Sequence, residues 1–215
     1  MTSAELATVE ARIRAFEART GAEAVAAVVA RSDRYHGLRW RAFAFGASFA
    51  ALAAVAFDLA RPDWTAAHAS LATAIAILAT GLTGALLATF TPTFERLFLS
   101  RERAEAEVRQ RARSLFLERD LVATPGRNAI LLLASRYERV TVVLGDRAYD
   151  GRIDSADWQR IVDAMTPPFQ AGQEALAFGA GLDALETLLV TKGFRRDGMT
   201  RNVLPDRPLQ PGDER

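Results

Sequence analysis

No cysteine occurs anywhere in the 215 residues, which removes disulfide frameworks, thiolate metal sites and cysteine nucleophiles. Histidine is nearly as scarce. With only His36 and His68 present, a Ser-His-Asp apparatus would have to rely on His36, because His68 falls beside an apolar run. Charge is almost missing between Ala42 and Phe94, although 27 basic and 26 acidic residues nearly cancel over the whole chain. That near-neutral total lacks the basic excess of nucleic-acid binders, so no nucleic-acid partner is expected. The first forty residues are studded with Glu, Arg and Asp, and no secretory signal is expected there. There is no Gly-x-Ser-x-Gly elbow, P-loop, zinc-protease helix or dinucleotide fingerprint.

What is present is dominated by two apolar runs. Ala42–Ala60 carries one charge, Asp58, near its end. At ~1.5 Å per residue it is long enough for the ~30 Å hydrocarbon layer. The second run, from Ala66 to Phe90 or slightly beyond, has no formal charge before Glu95, and Pro92 ends or kinks it. Arg61-Pro62-Asp63-Trp64 between them is a short polar turn that makes the pair antiparallel. Trp40 and Trp64 each precede an apolar run, where indole favours the headgroup layer. Small residues recur every fourth position, at Gly46/Ala50/Ala54 and Ala76/Thr80/Gly84/Ala88, a spacing that permits close helix approach in lipid. Arg31, Arg34, Arg39 and Arg41 flank the first run and Arg96, Arg101 and Arg103 the second, against Arg61 in the turn. Basic flanks stay in the cytoplasm, so both termini are expected there.

The remaining sequence reads as a soluble α/β part. Leu6, Val9, Ile13 and Phe16 fall at helical spacing, Thr20-Gly21 stops that helix, and residues 22–30 read as a short buried strand. Beyond the hairpin, Phe94–Leu121 reads as one long charged helix broken by Pro125-Gly126. Asn128–Ser135 and Val140–Leu144 form a β-hairpin. Asp154 or Ser155 caps a helix carrying Trp158, Ile161, Val162 and Met165, which Pro167-Pro168 ends, and a last helix spans about Gln170 to Val190. The polar, Pro-containing tail from Gly193 is expected to be disordered. Neither half can stand alone: the first has one strand, and the second would be a thin sheet with an open edge. The economical arrangement is one split domain, residues 1–38 and 95–192, with the transmembrane hairpin 39–94 between them and a tail, 193–215. The first strand then joins the later hairpin in a sheet of at least three strands covered by helices.

Chemistry-bearing residues concentrate at Asp146, Asp150, Asp154 and Asp157. Loop carboxylates suit a hard cation, calcium or magnesium, and Asp33 at the end of the first strand is a candidate fourth ligand beside Asp146, Asp150 and Asp154. The competing reading is structural: Asp146 in a turn after Gly145, Asp154 as a helix cap, Asp157 in that helix's first turn.

Residues 17–25, Glu-Ala-Arg-Thr-Gly-Ala-Glu-Ala-Val, resemble the first helix–strand junction of the TPM domain family. Leu144-Gly145-Asp146-Arg147, Trp158, and the segment 169–189 with Gly172, Gly179 and Gly181 resemble its later half. The resemblance covers roughly residues 3–36 and 100–190 and implies an α/β sandwich tethered to a membrane, here a bacterial inner membrane. It also implies photosystem-repair or accessory roles, a reported acid phosphatase activity and, in some members, calcium binding through acidic loops. In the family's common pattern a signal peptide exports the domain, whereas here the anchor interrupts it. Two functions are therefore expected to compete: an accessory module with the lipid bilayer and another membrane protein as partners, and a cation-assisted phosphoester hydrolase.

Overall fold

The computed structural model describes residues 1–60, 69–194, 204 and 206–212. They divide into two compact units, one joining Met1–Asp33 to Ala104–Arg215, the other Arg34–Arg103. The expected turn Arg61–Trp64 and His68 lie outside the described residues.

In the split unit, α1 (Ser3–Thr20) opens on a capping box, with the Glu5 amide donating to Thr2 Oγ1 and the Thr2 amide to Glu5 Oε2. It ends where Gly21 takes the left-handed conformation, φ 70°, that a side chain resists. β1 (Glu23–Val29) follows at once. After the hairpin unit come α5 (Arg101–Glu118), β2 (Ala129–Ser135), β3 (Val140–Gly145), α6 (Ser155–Gln170) and α7 (Glu174–Thr191). The sheet order is β1-β2-β3, with β1 parallel to β2 from Glu23↔Ala129 to Val29↔Ser135 and β3 antiparallel to β2. The first strand thus joins the later hairpin, as the open edge required.

β1 and β2 are buried at every position because alternate side chains face two different cores. Ala24, Ala26, Val28, Ile130, Leu132 and Ala134 face a core closed by α1, α6 and α7. Val25, Ala27, Val29, Leu131 and Leu133 face a second core closed by Val108, Ala112, Leu115 and Phe116 of α5. The result is three layers, helices on both faces of a small sheet.

Three boundaries differ from the sequence reading. The long helix expected over 94–121 is interrupted, because Phe98 is drawn into edge contacts with Phe94 and Phe45 (5.4 and 5.9 Å between centroids). A short helix α4 (Pro92–Arg96) precedes that turn; the second apolar helix ends at Phe90, just before Pro92 as expected, and Pro92 itself starts α4. Pro167 and Pro168 sit inside α6, which runs on to Gln170 because Phe169 is buried and the carbonyls of both prolines accept from Ala171 and Gln173. The tail is not unstructured throughout. Leu209 forms a parallel bridge with Ala27, its amide donating to Ala26 O and its carbonyl accepting from Val28 N, both at 2.9 Å. A sheet edge left bare is a pairing hazard, and this segment covers it.

The other unit is the helical hairpin, α2 (His36–Ala60) and α3 (Ala69–Phe90) with α4. At ~1.5 Å per residue the helices are about 37 and 33 Å long. They approach closely: a Cβ on Gly46 would stand 2.8 Å from Thr80 O, and one on Gly84 2.7 Å from Ala42 O. The small residues flagged by spacing therefore include the true contact points.

Candidate functional site

Because β2 and β3 are antiparallel, the loop entering β2 and the turn leaving β3 lie side by side. Asp146 leaves β3 with its amide on Ala129 O (2.9 Å), and its carboxylate is buried. Arg127, held at φ 49° in the loop before β2, grips both oxygens: Nη2 donates to Oδ1 at 2.9 Å and Nε lies 2.8 Å from Oδ2. The Arg147 amide donates to Oδ1 as well. The two loops are laced further by Ala148 N to Arg127 O, by Tyr149 Oη donating to Asn128 O (2.8 Å), and by Asn128 Nδ2 donating to Gly21 O (2.6 Å). Gly145 is dictated by Trp158, whose ring would lie 2.7 Å from any Cβ there. Burial first, then the carboxylates of Asp146 and Glu23, raise the Tyr149 hydroxyl above its ordinary pKa, so it stays protonated as a donor.

The other loop acids are spoken for by helix α6. Asp154 Oδ1 accepts from Asp157 N at 2.7 Å and the Asp154 amide donates back to Asp157 Oδ2, a capping box. The Asp157 carboxyl is held below its ordinary value by Lys192 (2.9 Å), by its bond from the Asp154 amide and by Arg160. Asp150 is exposed beyond a single turn, Arg147–Tyr149. Asp33 is not near them. Parallel pairing carries β1 away from the Asp146 end, and a seven-residue strand is about 20 Å long, so Asp33 emerges at the opposite end of the sheet. The expected quartet of Asp33, Asp146, Asp150 and Asp154 is therefore not assembled. Among the described residues no group of three or more His, Asp or Glu side chains gathers to hold a metal.

Two polar clusters escaped sequence reading. At the Asp146 end of the sheet, Glu17 in the last turn of α1 is buried and accepts from the Ala24 amide at 2.9 Å. Burial, and then the neighbouring Asp206 and Glu23 carboxyls, push its pKa up to about 8, outweighing the amide bond. Asp206, from the tail, also stands 3.5 Å from Arg14. So large a perturbation at the same end as a buried tyrosine and the buried carboxylate of the Arg127–Asp146 pair marks this end as the candidate site. At the opposite end, Ser135 Oγ donates to Glu138, which also accepts from the Ser32 amide (2.9 Å), while Ser32 Oγ donates to Ser135 Oγ (3.1 Å). Ser135 is wholly buried, so the arrangement clasps the exit of β1 to the β2–β3 turn instead of presenting a nucleophile. The only signal in the sequence was Ser-x-x-Glu straddling a turn.

A three-layer α/β unit whose second half carries this Gly-Asp turn and glycine-containing last helix is what the TPM resemblance implied. Residues 89–188 match the TPM_phosphatase family, described as the TPM domain. The match begins at the end of α3 and leaves out α1 and β1, which the structure nonetheless places in the same sheet. In three dimensions the chain is similar to the BA42 protein of the psychrophilic bacterium Bizionia argentinensis, solved by NMR. The TM-score is 0.58 over 98% of this chain and 94% of that one, at 13% identity, a likeness of fold. No curated protein matches by sequence. The class is thus an α/β sandwich interrupted by an apolar hairpin. Over residues 89–188 the chain is similar to the TPM domain.

Proposed function

We propose that the protein is a bilayer-anchored TPM-type domain working as an interaction or accessory module at the cytoplasmic face of a bacterial inner membrane. The observation that carries this reading is the hairpin's surface. Phe45, Phe49, Leu52, Leu59, Leu71, Leu78 and Phe90 are each 58% or more exposed on helices of spanning length. Monomers in water rarely expose apolar patches beyond a few hundred Å², whereas in lipid such a surface is the required one. The hydroxyls on α3 agree: Thr80, Thr83 and Thr89 each donate to the carbonyl four residues back, at 2.7–2.8 Å, as a polar group in hydrocarbon must. The arginine flanks favour cytoplasmic termini. A second membrane protein is the partner that such an anchor would bring within reach, because shared confinement raises effective concentration. Membrane fractionation of the full chain tests the anchor. Retention of the protein in carbonate-washed membranes is expected, and recovery in the soluble fraction without detergent would overturn it.

The second reading, a phosphoester hydrolase, is favoured by the matched family's label. A cation-assisted form would need Asp146 to release Arg127 and Asp154 to give up its capping role. Turnover of a generic phosphomonoester that survives purification and is lost in Asp146→Asn would favour it over the accessory role.

A further inference from the structure

The hairpin unit has one strongly charged end. Ala42 beside Gly84, Arg41 Nη1 donating to Phe98 O (3.2 Å) and the Phe45–Phe98 ring contact put the start of α2 and the exit of α3 together. Arg34, Arg39, Arg41, Arg96, Arg101 and Arg103 collect there against Glu95 and Glu102, six positive charges less two negative, a net of +4. Apolar groups are interleaved with the arginines. Trp40, 73% exposed, stands between Arg39 and Arg41 with its ring edge-on to Phe43, and Leu97, 75% exposed, follows Arg96. Guanidinium groups alternating with an exposed indole and leucine match the chemistry of a headgroup layer, charged outside and apolar just beneath.

We propose that this end of the hairpin binds the phosphodiester headgroups of anionic phospholipids, with Arg39 and Arg41 as the principal phosphate contacts. The proposal rests on the bilayer reading above and names the lipid class that the anchor selects. Both arginines are exposed on the first turns of α2. Two residues apart on a helix is about 200° of rotation, so the two guanidiniums address different lipids and flank Trp40 from opposite sides. The bond from Arg41 to Phe98 O orients its fork while using one of five donors. Charge, more than phosphate geometry, sets the selectivity: zwitterionic lipids carry the same phosphate with no net charge. A basic residue close to an anionic surface contributes a factor of about five in affinity, so losing both should cost about 25-fold.

The full chain in detergent can be titrated with phosphatidylglycerol or phosphatidylcholine and bound lipids counted by native mass spectrometry. Phosphatidylglycerol should bind wild type about 25-fold more tightly than Arg39→Gln/Arg41→Gln. Phosphatidylcholine should bind both equally, and Arg39→Lys/Arg41→Lys should keep most of the preference. Added salt should erode the difference. Inorganic phosphate should not displace the lipid; if it does, the end is a free-phosphate site and the proposal is wrong. Equal binding of the two lipids by wild type, with the chain still inserting into phosphatidylcholine vesicles, overturns the proposal and leaves the anchor standing. Failure to insert into vesicles of either lipid overturns the anchor and this proposal with it.

Discussion

Replacing Arg127 with methionine would strip the buried Asp146 carboxylate of its ion-pair partner while keeping most of the side-chain volume. Asp146 has 5% of its side chain exposed and Arg127 42%, so the pair lies between two regimes. An exposed ion pair contributes about 0–1 kcal/mol. Removing one partner of a fully buried pair costs about 3–5 kcal/mol, because the remaining charge is stranded. The Arg147 amide still serves Oδ1, and the Arg127 side chain is partly exposed, so the cost should be about 2 kcal/mol. For a protein of this size that corresponds to a fall of roughly 4–8 °C in Tm, read by near-UV circular dichroism of the full chain in mild detergent. Asp146→Asn should cost less, since no stranded charge remains. The double variant should sit close to Asp146→Asn alone, a positive coupling that a cycle isolates. A shift under about 1 °C for Arg127→Met, or strict additivity of the two changes, would refute the idea that this pair holds the two loops. Recovery of the lost stability by millimolar calcium would instead show Asp146 free to take a cation.

Three further outcomes are expected. Glu17 ionises at about 8 when folded and at an ordinary carboxyl value when unfolded, so between those values only the folded chain holds the proton. Its stabilising contribution is complete at acid pH and lost as pH rises to about 8; Glu17→Gln should flatten that fall in Tm and raise stability above it. Gly46→Val puts a side chain against Thr80 O and should force α2 and α3 apart, lowering the detergent Tm by the several degrees that about 1–3 kcal/mol of overpacking implies, whereas Ala50→Val should be tolerated better. Leu209→Pro removes the amide that donates to Ala26 O, and hydrogen exchange at the Val28 amide should speed up at least tenfold while Leu132 stays protected; equal protection in wild type and variant would mean the tail does not cover β1.

The elements were legible where a period was strong and opaque where the answer lay in direction. Val9, Ile13 and Phe16 at helical spacing, and two strands apolar at six of seven positions each, point to their structures without help from tertiary contacts. The need to cover a thin sheet placed β1 in it. Nothing local says whether β1 runs with or against β2, however, and that choice decides which end of the sheet Asp33 occupies. Placing it beside Asp146 assumed the wrong direction. The buried Glu17 was hidden for a related reason: its burial comes from β1 and from Asp206, which lies 189 positions along the chain. Leu209 sits between Pro208 and Pro211 in a stretch that reads as loop, and only the free edge of β1 gives it a strand partner. Gly145 stood out as part of a Gly-Asp turn, yet its requirement comes from the Trp158 ring above it, a contact across thirteen positions.

The place of the hairpin in the chain follows from the same topology. Parallel strands need a crossover, and β1 to β2 already requires a long connection with a covering helix, which α5 supplies. Inserting an antiparallel helix pair into that crossover returns the chain near its point of departure, so the ends that α5 and β1 require are met again. Loop-closure entropy grows only as the logarithm of length, and the inserted unit is itself folded, so the sheet loses little. A hairpin placed instead between β2 and β3 would replace the tight turn Arg136–Arg139 that sets their register, and with it the Ser135–Glu138 clasp. Two peptide connections, at Asp33–Arg34 and Arg103–Ala104, then join the hairpin to the split α/β unit, where a hairpin at one terminus would have one.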